Sequence, residues 1–150
     1  TEFDPNFLDD AALVKSMVPP DGETRAWKPL RWNQGGYDII FVTAGPDMAL
    51  RLCFGQVTKS LTHSLKLQYF AEVMSSLVEA GYKINEIEIA FIVSKQNMQA
   101  FRVMPSKVYG RGLLSHANSP MQNVKWAKGK EEELVNVYGI DLSEMGYNSL

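Results

Sequence analysis

Two extended runs joined by a tight turn restrict this chain more than any other feature. Residues 37–43 (Tyr-Asp-Ile-Ile-Phe-Val-Thr) are β-branched and aromatic, bounded by Gly36 and by the turn Ala44-Gly45-Pro46-Asp47. Residues 48–58 then alternate strictly. Leu50, Leu52, Phe54, Gln56 and Thr58 fall on one face, and Arg51, Cys53, Gly55 and Val57 on the other. The two runs predict a β-hairpin.

The strongest helical pattern follows, over residues 64–80. Its stripe is Phe70, Val73, Met74, Leu77 and Val78, with Leu67 one turn earlier and Gly81 as the terminating glycine. Upstream, Asp4 is a candidate cap and Pro5 suits the first helical position. Phe7, Leu8, Ala11, Val14 and Met17 keep helical spacing up to the stop at Pro19-Pro20. Residues 19–36 read as a connection anchored by Trp27 and Trp32, with one short extended piece between those tryptophans. Downstream, residues 87–94 predict an apolar strand and residues 98–104 another, closed by Pro105. A glycine-punctuated loop follows at Tyr109-Gly110-Arg111-Gly112, and residues 130–138 predict a last helix ended by Gly139. The predicted order is α–β–β–α–β–β–loop–α, a mixed sheet with helices packed on it.

The chain has 150 residues, enough for one domain over 1–150 and too short for two comfortable ones. Hydrophobic residues at 45% and charged residues at 21% exclude a disordered composition. Lys and Arg number 15 against 17 Asp and Glu, a net −2 that argues against a dedicated polybasic nucleic-acid binder while leaving room for a local basic groove. The single Cys53 cannot form an internal disulfide, and with 2 His a Cys/His zinc site is excluded. A reducing compartment is expected. No apolar run approaches the length of a membrane span. The opening Thr-Glu-Phe-Asp lacks a signal-like segment and reads as part of a longer protein.

Chemistry is expected where polar residues interrupt the hairpin. Asp38 opens the first strand, while Gln56 and Thr58, two apart near the end of the second, project to one face. The start of one antiparallel strand lies beside the end of its partner, so Asp38 is expected near Gln56. Lys59 and His63 follow on the way into the helix. Cations also flank aromatics at Arg25, Lys28 and Arg31 around Trp27 and Trp32, and at Lys125, Lys128 and Lys130 around Trp126. Such interleaving can hold nucleic acid, and solvated loops give the same pattern.

An acidic residue opening one strand, and a paired polar motif closing the next before a helix, resembles the PD-(D/E)xK (restriction-endonuclease-like) nuclease core. That core runs α–β–β–β–α–β. In it an Asp and, one hairpin later, the Glu of a Glu-x-Lys bind a divalent metal, assisted by the carbonyl between Glu and Lys. Here the matching positions are Asp38 and Gln56-Val57-Thr58. The run Leu52 to Thr58, with His63-Ser64-Leu65-Lys66 and a long helix behind it, resembles a variant in which Gln-x-Thr and then His replace Glu-x-Lys. That variant occurs in the C-terminal domains of Crinkler effectors and in retrotransposon-hot-spot proteins. The likeness spans about residues 36–104.

The resemblance implies Mg²⁺ or Mn²⁺ on Asp38, Gln56 and the Val57 carbonyl, with Thr58, Lys59 and His63 completing the catalytic set. It also implies action on DNA or RNA, as a module of a secreted virulence protein acting in a host nucleus or cytoplasm. The residues themselves keep other readings open. Gln56 offers a neutral carbonyl where Glu offers a charge, and Thr58 cannot supply the cation of a Lys, so the same core could serve as a silent module that binds a host protein or pairs as a homodimer. An unrelated α/β binding domain remains a third reading, and Asp38 after two glycines is also an ordinary turn residue.

Overall fold

In the computed structural model, residues 1–30, 36–117 and 129–141 are described. The chain is an α/β domain built on a mixed six-stranded sheet. Strands β1 (Glu2–Phe3) and β2 (Thr24–Pro29) enclose a 3-10 turn, Pro5–Phe7, and helix α1 (Ala11–Ser16). The hairpin strands β3 (Ile39–Ala44) and β4 (Ala49–Val57) follow, then β5 (Thr62–Lys66), helix α2 (Leu67–Glu79) and β6 (Lys83–Ser94). The chain continues through β7 (Arg102–Tyr109) and α3 (Leu113–Ala117) to β8 (Val135–Ile140). Sheet order is β1-β2-β3-β4-β6-β8, while β5 and β7 form a separate two-stranded ladder.

The hairpin is antiparallel from Ile39↔Gly55 to Ala44↔Leu50, as the alternation predicts. Beyond it β4, β6 and β8 run parallel. A register shift between Leu50 and Arg51 passes over Asn85 and keeps the apolar faces aligned, with Leu52 beside Ile87, Phe54 beside Ile89 and Gln56 beside Phe91. That face is covered by α2, whose Leu67, Phe70, Val73, Met74 and Leu77 are buried. Tyr37, Phe54 and Phe70 form one aromatic group, with Phe54 and Phe70 stacked at 4.7 Å. Such pairs add about 0.5–1.5 kcal/mol each beyond area burial. No helix among the described residues is long and apolar enough to cross a membrane.

Several sequence expectations are corrected. The opening helix is two pieces: Asp4 caps only the 3-10 turn, and Asp10 caps α1 by accepting from Ala12 and Leu13. The long helix starts at Leu67, because residues 62–66 pair with β7 as a strand. Residues 95–100 form turns, and the predicted strand over 98–104 begins at Arg102 and continues through Pro105. The two-stranded ladder with its shifted register tolerates that proline. The predicted helix over 130–138 is a 3-10 turn, Glu131–Leu134, followed by β8, so Gly139 lies inside a strand. Pairing of Val135–Ile140 with β6 limits the helix-forming Lys-Glu-Glu-Glu run to that one 3-10 turn. Trp27 is a core anchor, 5% exposed, with its indole N–H donated to the Met17 carbonyl, so it is closed to nucleic acid. Arg31, Trp32, Lys125, Trp126 and Lys128 lie outside the described residues.

Candidate functional site

The end of the hairpin is set by two glycines. Gly36 has φ +97°, and a Cβ there would lie 3.0 Å from the Tyr69 Cβ and 3.2 Å from the Phe70 ring. A Cβ on Gly55 would meet the Ile39 methyl at 2.8 Å. Chain and helix therefore approach as closely as a backbone without side chains allows, and Tyr37 is driven into the core at 1% exposure. Burial, with Glu72 adding, pushes the Tyr37 phenol well above its ordinary range. Asp38, next in the chain, is left half-buried at the mouth of the sheet.

Asp38 is tied to the end of β4 at two points. Its backbone N–H donates to the Gly55 carbonyl at 2.8 Å. Its carboxylate Oδ2 accepts the Val57 N–H at 2.9 Å. The sequence expectation that Asp38 lies beside the Gln56 segment is what the structure displays. Gln56 follows Leu52 and Phe54 on the α2-facing side of β4, and its Oε1 is buried with no hydrogen-bond partner. An orphaned amide oxygen of this kind costs about 1–3 kcal/mol.

The remaining predicted residues are distributed unevenly around this pair. Thr58 continues the pairing through its N–H to the Ile92 carbonyl, while its hydroxyl accepts the Ser60 N–H in the turn that follows. Lys59 is exposed, and its carbonyl accepts from Asn97. His63 sits in β5, not at the start of α2. Its ring packs against Phe91 at 5.3 Å, and Phe91 is the register neighbour of Gln56. The His63 Nδ1 lies 2.7 Å from the Ser64 carbonyl. A carbonyl only accepts, so Nδ1 carries the proton and Nε2 is the basic nitrogen of the neutral ring.

Asp38, Gln56 and the Val57 carbonyl offer only oxygen donors, the chemistry a hard cation prefers. The partnerless Gln56 Oε1 is the observation that favours it. The set contains one carboxylate, and among the described residues no group of three or more His, Cys, Asp or Glu gathers to hold a metal. By donor type alone, Mg²⁺ or Mn²⁺ would be held chiefly through Asp38, the one charge among these donors.

His63 also opens onto a cleft of about 660 Å³ between the β5–β7 ladder and the first turn of α2, whose wall includes Lys66, Gln68, Tyr69, Lys107 and Tyr109. Sequence reasoning did not assemble this cleft. The signal that would have found it is the pairing of residues 62–66 with 102–109, which no local pattern announces. The glycine loop at 109–112 is not a phosphate cradle. The Gly112 N–H is taken by the buried Glu131 carboxylate, and Arg111 is bound to Glu132.

A second polar group lies on the opposite face of the sheet. Glu88 accepts from Asn136 and Tyr138, each at 2.8 Å, and from the Cys53 thiol at 3.3 Å. Burial raises the Glu88 pKa, but the three donors together with the Arg51 charge outweigh it and leave the carboxyl below its ordinary value. Burial, with Glu88 adding, pushes the Cys53 thiol up to about 12, so it stays protonated and unreactive at neutral pH. This network joins β4, β6 and β8 and is structural.

Compared with known protein families, curated proteins and solved structures, the chain matches none of them.

Proposed function

We propose that this domain is a nuclease-like module of the PD-(D/E)xK type that acts on DNA or RNA with Mg²⁺ or Mn²⁺. The carrying observation is the Asp38 carboxylate on the Val57 N–H, one residue from a buried Gln56 oxygen that has no partner. The element order supports the reading. Helix α1, strands β2, β3 and β4, helix α2 and strand β6 run α–β–β–β–α–β, with a 3-10 turn at Pro46–Met48 inside the hairpin and the short β5 before α2. Asp38 stands just before β3, and Gln56 and Val57 close β4.

A bound divalent cation would polarise a phosphate and lower the pKa of a water. Asp38 would hold it, and Gln56 and the Val57 carbonyl would complete its protein ligands. His63, with Nδ1 committed to Ser64, offers Nε2 as a proton acceptor near the site. Lys59 is the exposed cation next in the chain. On the same reading the domain works as an effector or toxin inside a host cell.

A second reading has its own support. The Thr58 hydroxyl is engaged by Ser60, and the donor set carries a single carboxylate. A core with those departures would serve as a binding module without catalysis. One experiment separates the two: cleavage of plasmid and single-stranded DNA with Mg²⁺ or Mn²⁺, against EDTA and Asp38→Asn. Cutting that requires both metal and Asp38 is expected. Its absence in folded protein at high concentration would transfer the conclusion to the binding module.

A further inference from the structure

We propose that the cleft beside His63 holds a single nucleic-acid strand, with phosphates on Lys66 and Lys107 and unpaired bases on Tyr69 and Tyr109. The inference deepens the nuclease-like reading and rests on it for the path the strand takes.

Charge separates this cleft from three other hollows among the described residues. A hollow at the β3–β4 turn balances Asp47 and Glu86 against Arg51 and Lys83, another beside α2 has Asp9, Glu72 and Glu79 and no cation, and a third under Pro19 has Asp21 and Asp47. The His63 cleft is charged by Lys66 and Lys107 alone, in a chain whose net charge is −2. The two cations are fixed differently. Lys66 is exposed and is the register neighbour of Tyr109, so a cation stands beside an aromatic ring across the ladder. Lys107 is half-buried, with its ammonium on the Thr62 hydroxyl at 3.1 Å.

The aromatic rings specify the strand. Tyr109 is 50% exposed, a large apolar surface left in water at the lip of the cleft. Aromatic faces between cations bind unpaired bases, whereas duplex bases are already stacked on each other. A cleft of about 660 Å³ takes a short stretch of strand and not a duplex. Its position also suits the reading above. Tyr69 packs against Gly36, two residues before Asp38, and His63 packs on Phe91 beside Gln56. A strand in the cleft thus leads toward the hairpin end.

The test is fluorescence anisotropy with a labelled oligothymidylate of about 12 nucleotides, in EDTA so that metal plays no part. Saturable, salt-weakened binding is expected. Tyr109→Ala should weaken it roughly 5- to 100-fold, with Tyr109→Phe close to wild type. Lys66→Ala should flatten the log-affinity against log-salt slope by about 0.7. Equal melting temperatures would show that these exposed substitutions leave the fold intact. Wild-type binding by Tyr109→Ala, equal affinity for a duplex, or equally good competition by polyglutamate would each overturn the proposal, the last in favour of an acidic protein partner. Strand binding without metal-dependent cleavage would sink the nuclease reading and leave the cleft standing. Asp38-dependent cleavage with binding indifferent to Tyr109 would do the reverse.

Discussion

The Asp38 carboxylate accepts the Val57 N–H at 2.9 Å, so the side chain that would hold a metal also closes the last backbone donor of β4. Structural and chemical roles are therefore superimposed on one residue, and substitutions that differ in which role they spare can separate them. Asp38→Asn keeps an oxygen for Val57 and loses the charge. Asp38→Ala loses both. Urea unfolding should register a loss of about 1 kcal/mol for Asp38→Ala and much less for Asp38→Asn. Metal-dependent cleavage should vanish in both. Parallel losses of stability and cleavage across the pair would assign Asp38 a structural role only.

Gln56 provides a test of opposite sign. Its buried Oε1 lacks a partner, so Gln56→Met, similar in volume, should raise the unfolding free energy by about 1 kcal/mol. The same change should lower cleavage. A site that gains stability when its polar atom is removed is one retained for another reason. A loss of stability in Gln56→Met would count against an orphaned oxygen there.

Gly36→Ala combines two penalties. The residue has φ +97°, and the new methyl would lie 3.0 Å from Tyr69. A decrease of about 1–3 kcal/mol is expected in chemical denaturation, together with loss of strand binding if Tyr69 is displaced. A neutral Gly36→Ala would mean that this backbone is not held where the close approach requires.

The Glu88 network predicts an acid limit for the β4–β6–β8 half of the sheet. Its folded-state pKa is depressed, through donors and the Arg51 charge that together outweigh burial. Its stabilisation is thus complete above the unfolded carboxylate value of about 4.3 and is lost as pH falls through the lower folded value. Thermal melts of wild type and Glu88→Gln should differ at neutral pH and converge once the pH has fallen below the depressed folded value. A difference that persists unchanged into stronger acid would exclude the charge as its source.

The parts of this molecule legible in its sequence are those with a local period. The alternation from Leu50 to Thr58 specified β4 and its buried face, because a one-residue slip would exchange Leu52 and Phe54 for Arg51 and Cys53. The stripe from Leu67 to Leu77 specified α2 in the same way. Asp38 beside Val57 and Gln56 followed from the hairpin alone, since the start and end of an antiparallel pair are neighbours.

Where the sequence misled, the deciding partner was distant. Val135-Asn136-Val137-Tyr138 carries an alternation hidden behind three glutamates, and it became a strand because the edge of β6 was there to pair with it. Residues 64–66 fall inside the predicted helix, yet they belong to β5 because β7 supplies a ladder. Local pattern determined the hairpin, its covering helix and the meeting of Asp38 with the end of β4. Only the tertiary structure set Lys66 against Tyr109 and His63 upon Phe91, because those pairings depend on which strand edge is free once the sheet has formed.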